Sequence, residues 1–111
     1  MTRQGMNTLS NAERRAQLRA RIQRGKLTVA PGVFEMISAK IADSMGFDAL
    51  YMTGYGTSLG LLGMPDAGLA TMSEMHLNAG YVANAVGIPV IADADNGYGN
   101  AINVMRTVRE Y

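Results

Sequence analysis

Apolar residues in this chain recur with a helical period in four segments, and short β-prone runs lie between them. Leu18 and Ile22 stand four apart behind Ser10-Asn11-Ala12-Glu13, which has the spacing of a capping box. A helix is predicted from Ser10 to about Arg24, stopped by Gly25. Its apolar stripe is thin, which places it across the outside or one end of something larger. Residues 27–30 are β-prone and halt at the turn signal Pro31-Gly32. Phe34, Ile37, Ile41 and Met45 then mark one side of a helix ending at Gly46. Residues 49–53 read as a second strand, and residues 54–68 as a glycine-rich stretch too broken for a long helix. Thr71-Met72-Ser73-Glu74 repeats the capping box. Met75, Ala79, Val82 and Val86 make the stripe behind it, which Gly87 and Pro89 end. Residues 90–93 are the third strand, and Asn100 caps a last helix with Ala101, Val104, Met105, Val108 and Tyr111 on one side.

Strands and helices that alternate with short connections imply parallel strands and right-handed crossovers. The candidates are a doubly wound sheet and a (β/α)8 TIM barrel, both α/β. The barrel is preferred because Thr53-Gly54-Tyr55-Gly56 and Asp93-Ala94-Asp95 both fall at C-terminal strand ends, where barrels keep their reactive groups. The expected organisation is a basic helical segment over residues 1–26, then the first three βα units of a barrel over residues 27–111. The unpaired edge of the third strand predicts self-association, most simply as a homo-oligomer.

With 111 residues, 48% of them apolar and 17% charged, the chain fits a single globular domain. No apolar run is long enough to span a bilayer, and no secretory leader is recognisable, so a soluble, cytoplasmic protein without a membrane partner is expected. The absence of cysteine removes disulfides, thiolate metal sites and thiol nucleophiles. The net charge of +1 conceals seven basic residues against one acid in residues 1–26. Arg14, Arg15, Arg19, Arg21, Arg24 and Lys26 read as a solvated helix face rather than a transit peptide or a nucleic-acid surface, since no aromatic is interleaved to stack a base.

The chemistry concentrates in Pro89-Val90-Ile91-Ala92-Asp93-Ala94-Asp95-Asn96-Gly97-Tyr98-Gly99. Residues two apart on a strand share a face, and two carboxylates side by side call for a cation. The choice falls on Mg2+, with Mn2+ also suitable. Asp66, in a Pro-Asp-Ala-Gly turn, is the only acid of the long loop; it reads as a turn residue or as a third oxygen donor. Gly54-Tyr55-Gly56-Thr57-Ser58-Leu59-Gly60 misses the dinucleotide spacing by one residue, yet its backbone N–H groups and the Thr53 hydroxyl suit a carboxylate. Tyr51 shares the direction of Thr53 and points either into the barrel mouth or into a barrel layer. His76 reads as a surface or packing residue, and the nine methionines as core filler.

Four segments in order resemble the isocitrate lyase and phosphoenolpyruvate mutase superfamily, which includes methylisocitrate lyase, dimethylmalate lyase, the phosphonomutases and an oxaloacetate decarboxylase branch. They are Ala30-Pro31-Gly32-Val33-Phe34-Glu35, Thr53-Gly54-Tyr55-Gly56, Gly63-Met64-Pro65-Asp66-Ala67-Gly68, and Ala92-Asp93-Ala94-Asp95-Asn96-Gly97-Tyr98-Gly99-Asn100. The resemblance implies a (β/α)8 barrel with Mg2+ at Asp93 and Asp95, supported through water by Asp66. Thr53, Gly54 and Tyr55, with Tyr51 beside them, would hold the carboxylate of a small 2-hydroxy or 2-oxo acid. The implied reaction is carbon–carbon lysis of a methylisocitrate or dimethylmalate type of substrate. Oxaloacetate decarboxylation, phosphonomutase chemistry or a non-catalytic oligomerisation module are the alternatives. The lyase branches carry a Lys-Lys-Cys-Gly-His loop after the fourth strand; this sequence has no such loop, so no catalytic residue is assigned and the 111 residues alone are expected to be inactive. Thr53 and Tyr55 replace the serine and glycine common in the carboxylate-binding segment, which leaves the substrate open.

Overall fold

The computed structural model describes residues 9–111; the first eight residues of the expected basic segment lie outside the described residues. The elements in order are α1 (Asn11–Gln23), β1 (Gly32–Val33), α2 (Met36–Ser44), β2 (Leu50–Met52), α3 (Gly54–Leu62), α4 (Met72–Ala85), β3 (Val90–Ala92) and α5 (Ala101–Glu110). The strands form one parallel sheet in the order β1-β2-β3, with Gly32 opposite Tyr51 and Met52 opposite Ala92. The core sits where Val33, Leu50 and Met52 of the sheet meet Ala39 and Ala42 of α2 and Met75, Ala79 and Val82 of α4. Among the described residues no helix is long and apolar enough to cross a membrane.

All five helices start where a side chain satisfies free N–H groups, and three of these caps, at Ser10, Thr71 and Asn100, are the ones the sequence predicts. Ser10 with Glu13 and Thr71 with Glu74 form complete capping boxes, Glu35 accepts from Ile37 and Ser38, and Asn100 accepts from Ile102 and Asn103. Hydrogen bonds from Ser10, from Ser38 and Ile37, and from Thr71 lower the pKa values of Glu13, Glu35 and Glu74 respectively. A carboxyl depressed in the folded state stabilises it at pH values above the unfolded value of about 4.3, and that contribution is lost as the pH falls through the folded value. Thermal unfolding followed between pH 7 and pH 3 should therefore show stability declining only on the acid side. A Glu13→Gln, Glu35→Gln, Glu74→Gln triple variant should show a shallower decline.

The sheet and helix faces differ from the sequence expectation in three places. The first strand is not residues 27–30. That stretch is held by α1 and the Asp48 region, with Arg21 Nη2 donating to the Leu27 carbonyl at 2.6 Å and Val29 N to Asp48 Oδ2 at 3.1 Å. Pairing begins one residue beyond it, where the Pro31 carbonyl accepts from Tyr51 N, and Pro31 stands at the strand entrance where it owes no donor. Gly32 is needed there for space, since a Cβ would lie 2.8 Å from Thr53 Cγ2. The apolar stripe of α2 faces outward: Ile37, Ile41 and Met45 are exposed, and the helix packs through Ala39 and Ala42, whose small side chains let it lie close to the sheet. Ile102, Met105 and Val108 of α5 are likewise exposed, and Thr107 is the buried contact, donating to the Gly97 carbonyl at 2.8 Å.

The third difference is α3, a nine-residue helix within the stretch expected to be broken. Glycine inside a helix costs about 1 kcal/mol relative to alanine. Packing requires it at Gly56, where a Cβ would come within 2.8 Å of Phe34 Cβ.

The basic helix is not simply a solvated face. Arg14 Nη1 donates to the carbonyls of Ala83 (3.0 Å) and Val86 (2.5 Å), which lack helical partners at the end of α4, and Arg21 pairs with Asp48 at 2.8 Å. Arg14→Ala should cost about 2 kcal/mol in urea unfolding, because bonds from a charged donor to half-buried carbonyls are lost. Arg19→Ala, on the exposed side, should change stability by less than about 0.5 kcal/mol.

Candidate functional site

The C-terminal ends of β2 and β3 lie side by side, and the chain leaving each strand turns over the same point. After Met52 the Thr53 side chain caps α3 by accepting from Gly56 N at 3.0 Å, which aims the first N–H of the helix at the neighbouring strand end. That N–H, on Gly54, donates to Asp93 Oδ2 at 3.2 Å, and the Tyr51 hydroxyl donates to the same oxygen at 3.2 Å. Asp95 N donates to Asp93 Oδ1 at 2.8 Å. Asp93 is thus fixed by donors from β2, from α3 and from its own turn. Gly54 is indispensable to the geometry: a Cβ there would sit 2.8 Å from Asp93 Oδ2 and 3.5 Å from Asp66 Oδ2.

Asp66, Asp93 and Asp95 line one small pocket of about 50 Å³, with Gly54, Ser58 and Tyr98 among the other lining residues. The route by which they meet differs from the expected one. The strand ends at Ala92, and Asp95 lies beyond it in the left-handed conformation at φ 46°, so the turn rather than a shared strand face brings the two acids together. Tyr98 is left-handed as well, at φ 63°. Such conformations cost non-glycine residues free energy and persist where surroundings impose them, often at functional sites.

The electrostatics are one-sided. Among the described residues the one ion pair is Arg21 with Asp48, so none of the three acids is neutralised by arginine or lysine. Burial and then the Asp93 charge raise the pKa of Tyr51, which keeps its hydroxyl a donor. Tyr98 is held protonated in the same way, by burial first and then by Tyr111, Asp93 and Asp95. Among the described residues no three Asp, Glu, His or Cys side chains close into a ready-made cation cage. The donors are nonetheless all oxygen, uncompensated and beside a small polar space. They fit a hard ion such as Mg2+, which takes one or two carboxylates and keeps several waters.

The remaining expected site residues separate. Tyr51 and Gly54 face Asp93; the Thr53 hydroxyl serves as a helix cap, and the Tyr55 side chain is exposed. The N-terminus of α3 does open directly from a strand, as a dinucleotide loop would, and it is already directed at the carboxylate of Asp93. His76 bonds the Glu110 carbonyl at 2.8 Å and packs on Tyr111, a docking role for α5. A larger cleft of about 250 Å³ lies beside β3 between α1, α4 and α5 and contains none of the three acids.

Two residues near the site escape the sequence reading. Asn78 is buried in the apolar stripe of α4 and donates through Nδ2 to the Phe34 carbonyl at 3.0 Å and to Thr57 Oγ1 at 3.3 Å. Its signal is a polar residue among Met75, Ala79 and Val82. Ser58 lies one helical turn after Gly54 and opens onto the acidic pocket.

Parallel strands that bring acids and helix N–H groups together at their C-terminal ends define a βα scaffold with its chemistry at that end. The chain belongs to the phosphoenolpyruvate phosphomutase family, whose pattern matches residues 18–111. It is 55% identical over 96 residues to 2,3-dimethylmalate lyase of Eubacterium barkeri, a match covering 86% of this chain and 33% of that one. The crystal structure of a 2,3-dimethylmalate lyase, a PEP mutase/isocitrate lyase superfamily member, superposes with a TM-score of 0.83 at 44% identity, covering 93% of this chain and 36% of that one. A phosphonopyruvate hydrolase complexed with oxalate and Mg2+ gives a TM-score of 0.83 at 33% identity, covering 93% and 35%. The chain therefore spans about a third of the length of these relatives.

Proposed function

We propose that residues 27–111 are the first three βα units of a (β/α)8 barrel, preceded by a basic helical segment over residues 1–26. The complete barrel would be a Mg2+-dependent carbon–carbon lyase for a small 2-hydroxy or 2-oxo di- or tricarboxylic acid. The observation that carries this reading is the convergence of Tyr51, Gly54 and Asp95 on Asp93, beside Asp66, with no basic side chain among the described residues paired to the acids. Identity of 55% to a dimethylmalate lyase favours lysis over the mutase and decarboxylase alternatives.

In this reading Asp93 and Asp95 hold the cation and Asp66 acts through water; Mn2+ serves in place of Mg2+. The bound ion supplies Lewis-acid stabilisation of the negative charge that develops when the bond next to the carbonyl breaks. The chain's own residues do the positioning. The Tyr51 hydroxyl and Gly54 N–H fix the rotamer of Asp93, Thr53 shapes the start of α3 as its cap, and the exposed Tyr55 beside them is left to meet the carboxylate of the substrate. Self-association into a homo-oligomer accompanies this proposal, since α2 and α5 both carry exposed apolar stripes. A cytoplasmic location fits a chain without cysteine. The deciding experiment measures pyruvate release by a barrel-length polypeptide carrying this sequence, with Mg2+ and after chelation. Turnover that survives chelation would reject the metal role, and comparable turnover by the 111 residues alone would reject their being one part of the catalytic machinery.

A further inference from the structure

Ser58 is 3% exposed, and it lines the pocket formed with Asp66, Asp93 and Asp95. Serines inside helices commonly turn the hydroxyl back to a carbonyl three or four residues earlier. Ser38 and Ser44 do this toward Glu35 and Ile41, and Thr107 toward Asn103. The Ser58 hydroxyl makes no hydrogen bond among the described residues. Its neighbour Thr57 is engaged by Asn78 on the core side of α3, whereas Ser58 lies one turn beyond Gly54 on the side of the carboxylates. The residue is buried, yet its hydroxyl oxygen is not sealed off as the unpartnered Tyr98 hydroxyl is; it opens onto a space of about 50 Å³, room for one or two waters that can satisfy it.

We propose that Ser58 is a positioning residue of the acidic pocket, its hydroxyl bonding a water carried by the divalent cation that Asp66, Asp93 and Asp95 hold. The inference rests on the cation reading above and adds a role to a residue outside the carboxylate set. A hydroxyl both donates and accepts, so it can fix the orientation of a metal-bound water whose protons point toward carboxylates.

The test uses the 111-residue chain and Mn2+, with bound ion read from loss of the free-Mn2+ paramagnetic resonance signal and unfolding temperature measured with and without Mn2+. Ser58→Ala should weaken Mn2+ binding about tenfold and shrink the Mn2+-induced rise in unfolding temperature. Its metal-free unfolding temperature should hold or rise, because alanine is the better helix former. Unchanged Mn2+ affinity in Ser58→Ala, alongside loss of binding in Asp93→Asn, overturns the role of Ser58 and leaves the cation site standing. A lower metal-free unfolding temperature overturns it too, by showing the hydroxyl to be a packing partner. Failure of the unmodified chain to take up Mn2+, or equal uptake by Asp93→Asn, removes the cation reading itself and Ser58 with it.

Discussion

Asp93→Asn should reduce divalent-cation affinity at least a hundredfold and lower stability in the same variant. The first effect follows from removing the charge at the carboxylate that sits at the centre of the acidic pocket. The second follows from hydrogen-bond polarity. Both Asp93 oxygens accept, Oδ2 from Tyr51 and Gly54 and Oδ1 from Asp95 N. An asparagine must present its NH2 to one of these donor sets, leaving a donor facing a donor at a cost of about 1–3 kcal/mol. Calorimetric titration with Mn2+ and thermal unfolding measure the two effects separately. Wild-type Mn2+ affinity in this variant would place the cation elsewhere, and an unchanged unfolding temperature would show that the three donors find water just as readily.

Asn78 carries the second large effect. Its amide bonds the Phe34 carbonyl, after β1, and Thr57 of α3, tying both to α4 in the buried interior. Asn78→Ala strands both partners and opens a void, and the expected loss is about 3 kcal/mol. Asn78→Asp should be worse at neutral pH despite its identical shape, since it places a buried negative charge against a carbonyl oxygen. Urea unfolding followed by circular dichroism gives both values. A loss below about 1 kcal/mol in Asn78→Ala would mean that water replaces the amide, and the packing role assigned to it would fall.

Much of this architecture is legible from local chemistry. Capping boxes at Ser10 and Thr71 and the Asn100 cap mark helix starts that depend on residues within four positions of one another. The second and third strands are legible to within a residue at each end, because Leu50, Met52 and Val90 sit in apolar runs bounded by turn residues. The features that local chemistry does not reveal depend on distant neighbours. Residues 27–30 have strand composition without a paired partner, since the register gives Tyr51 to Gly32. The glycines of α3 argue against a helix until Phe34 is seen against Gly56. The three acids do share a pocket, though through the left-handed turn at Asp95, whose backbone sign no alternation rule reveals. Ser58 and Asn78 carry no decisive sequence signal for the same reason: a polar residue within a helix gains meaning only from what it faces.

Two of the three donors to Asp93, the Tyr51 hydroxyl and the Gly54 N–H, lie 42 and 39 residues before it, so its carboxylate is fully immobilised only when the sheet and α3 have formed. A cation arriving there would meet an anion whose torsional freedom was already spent in folding, which lowers the entropic penalty of capture. The unfolded chain offers the same acids without that arrangement. Occupancy and foldedness would then be thermodynamically linked, and each tenfold rise in Mg2+ above its dissociation constant would add about 1.4 kcal/mol to the native state.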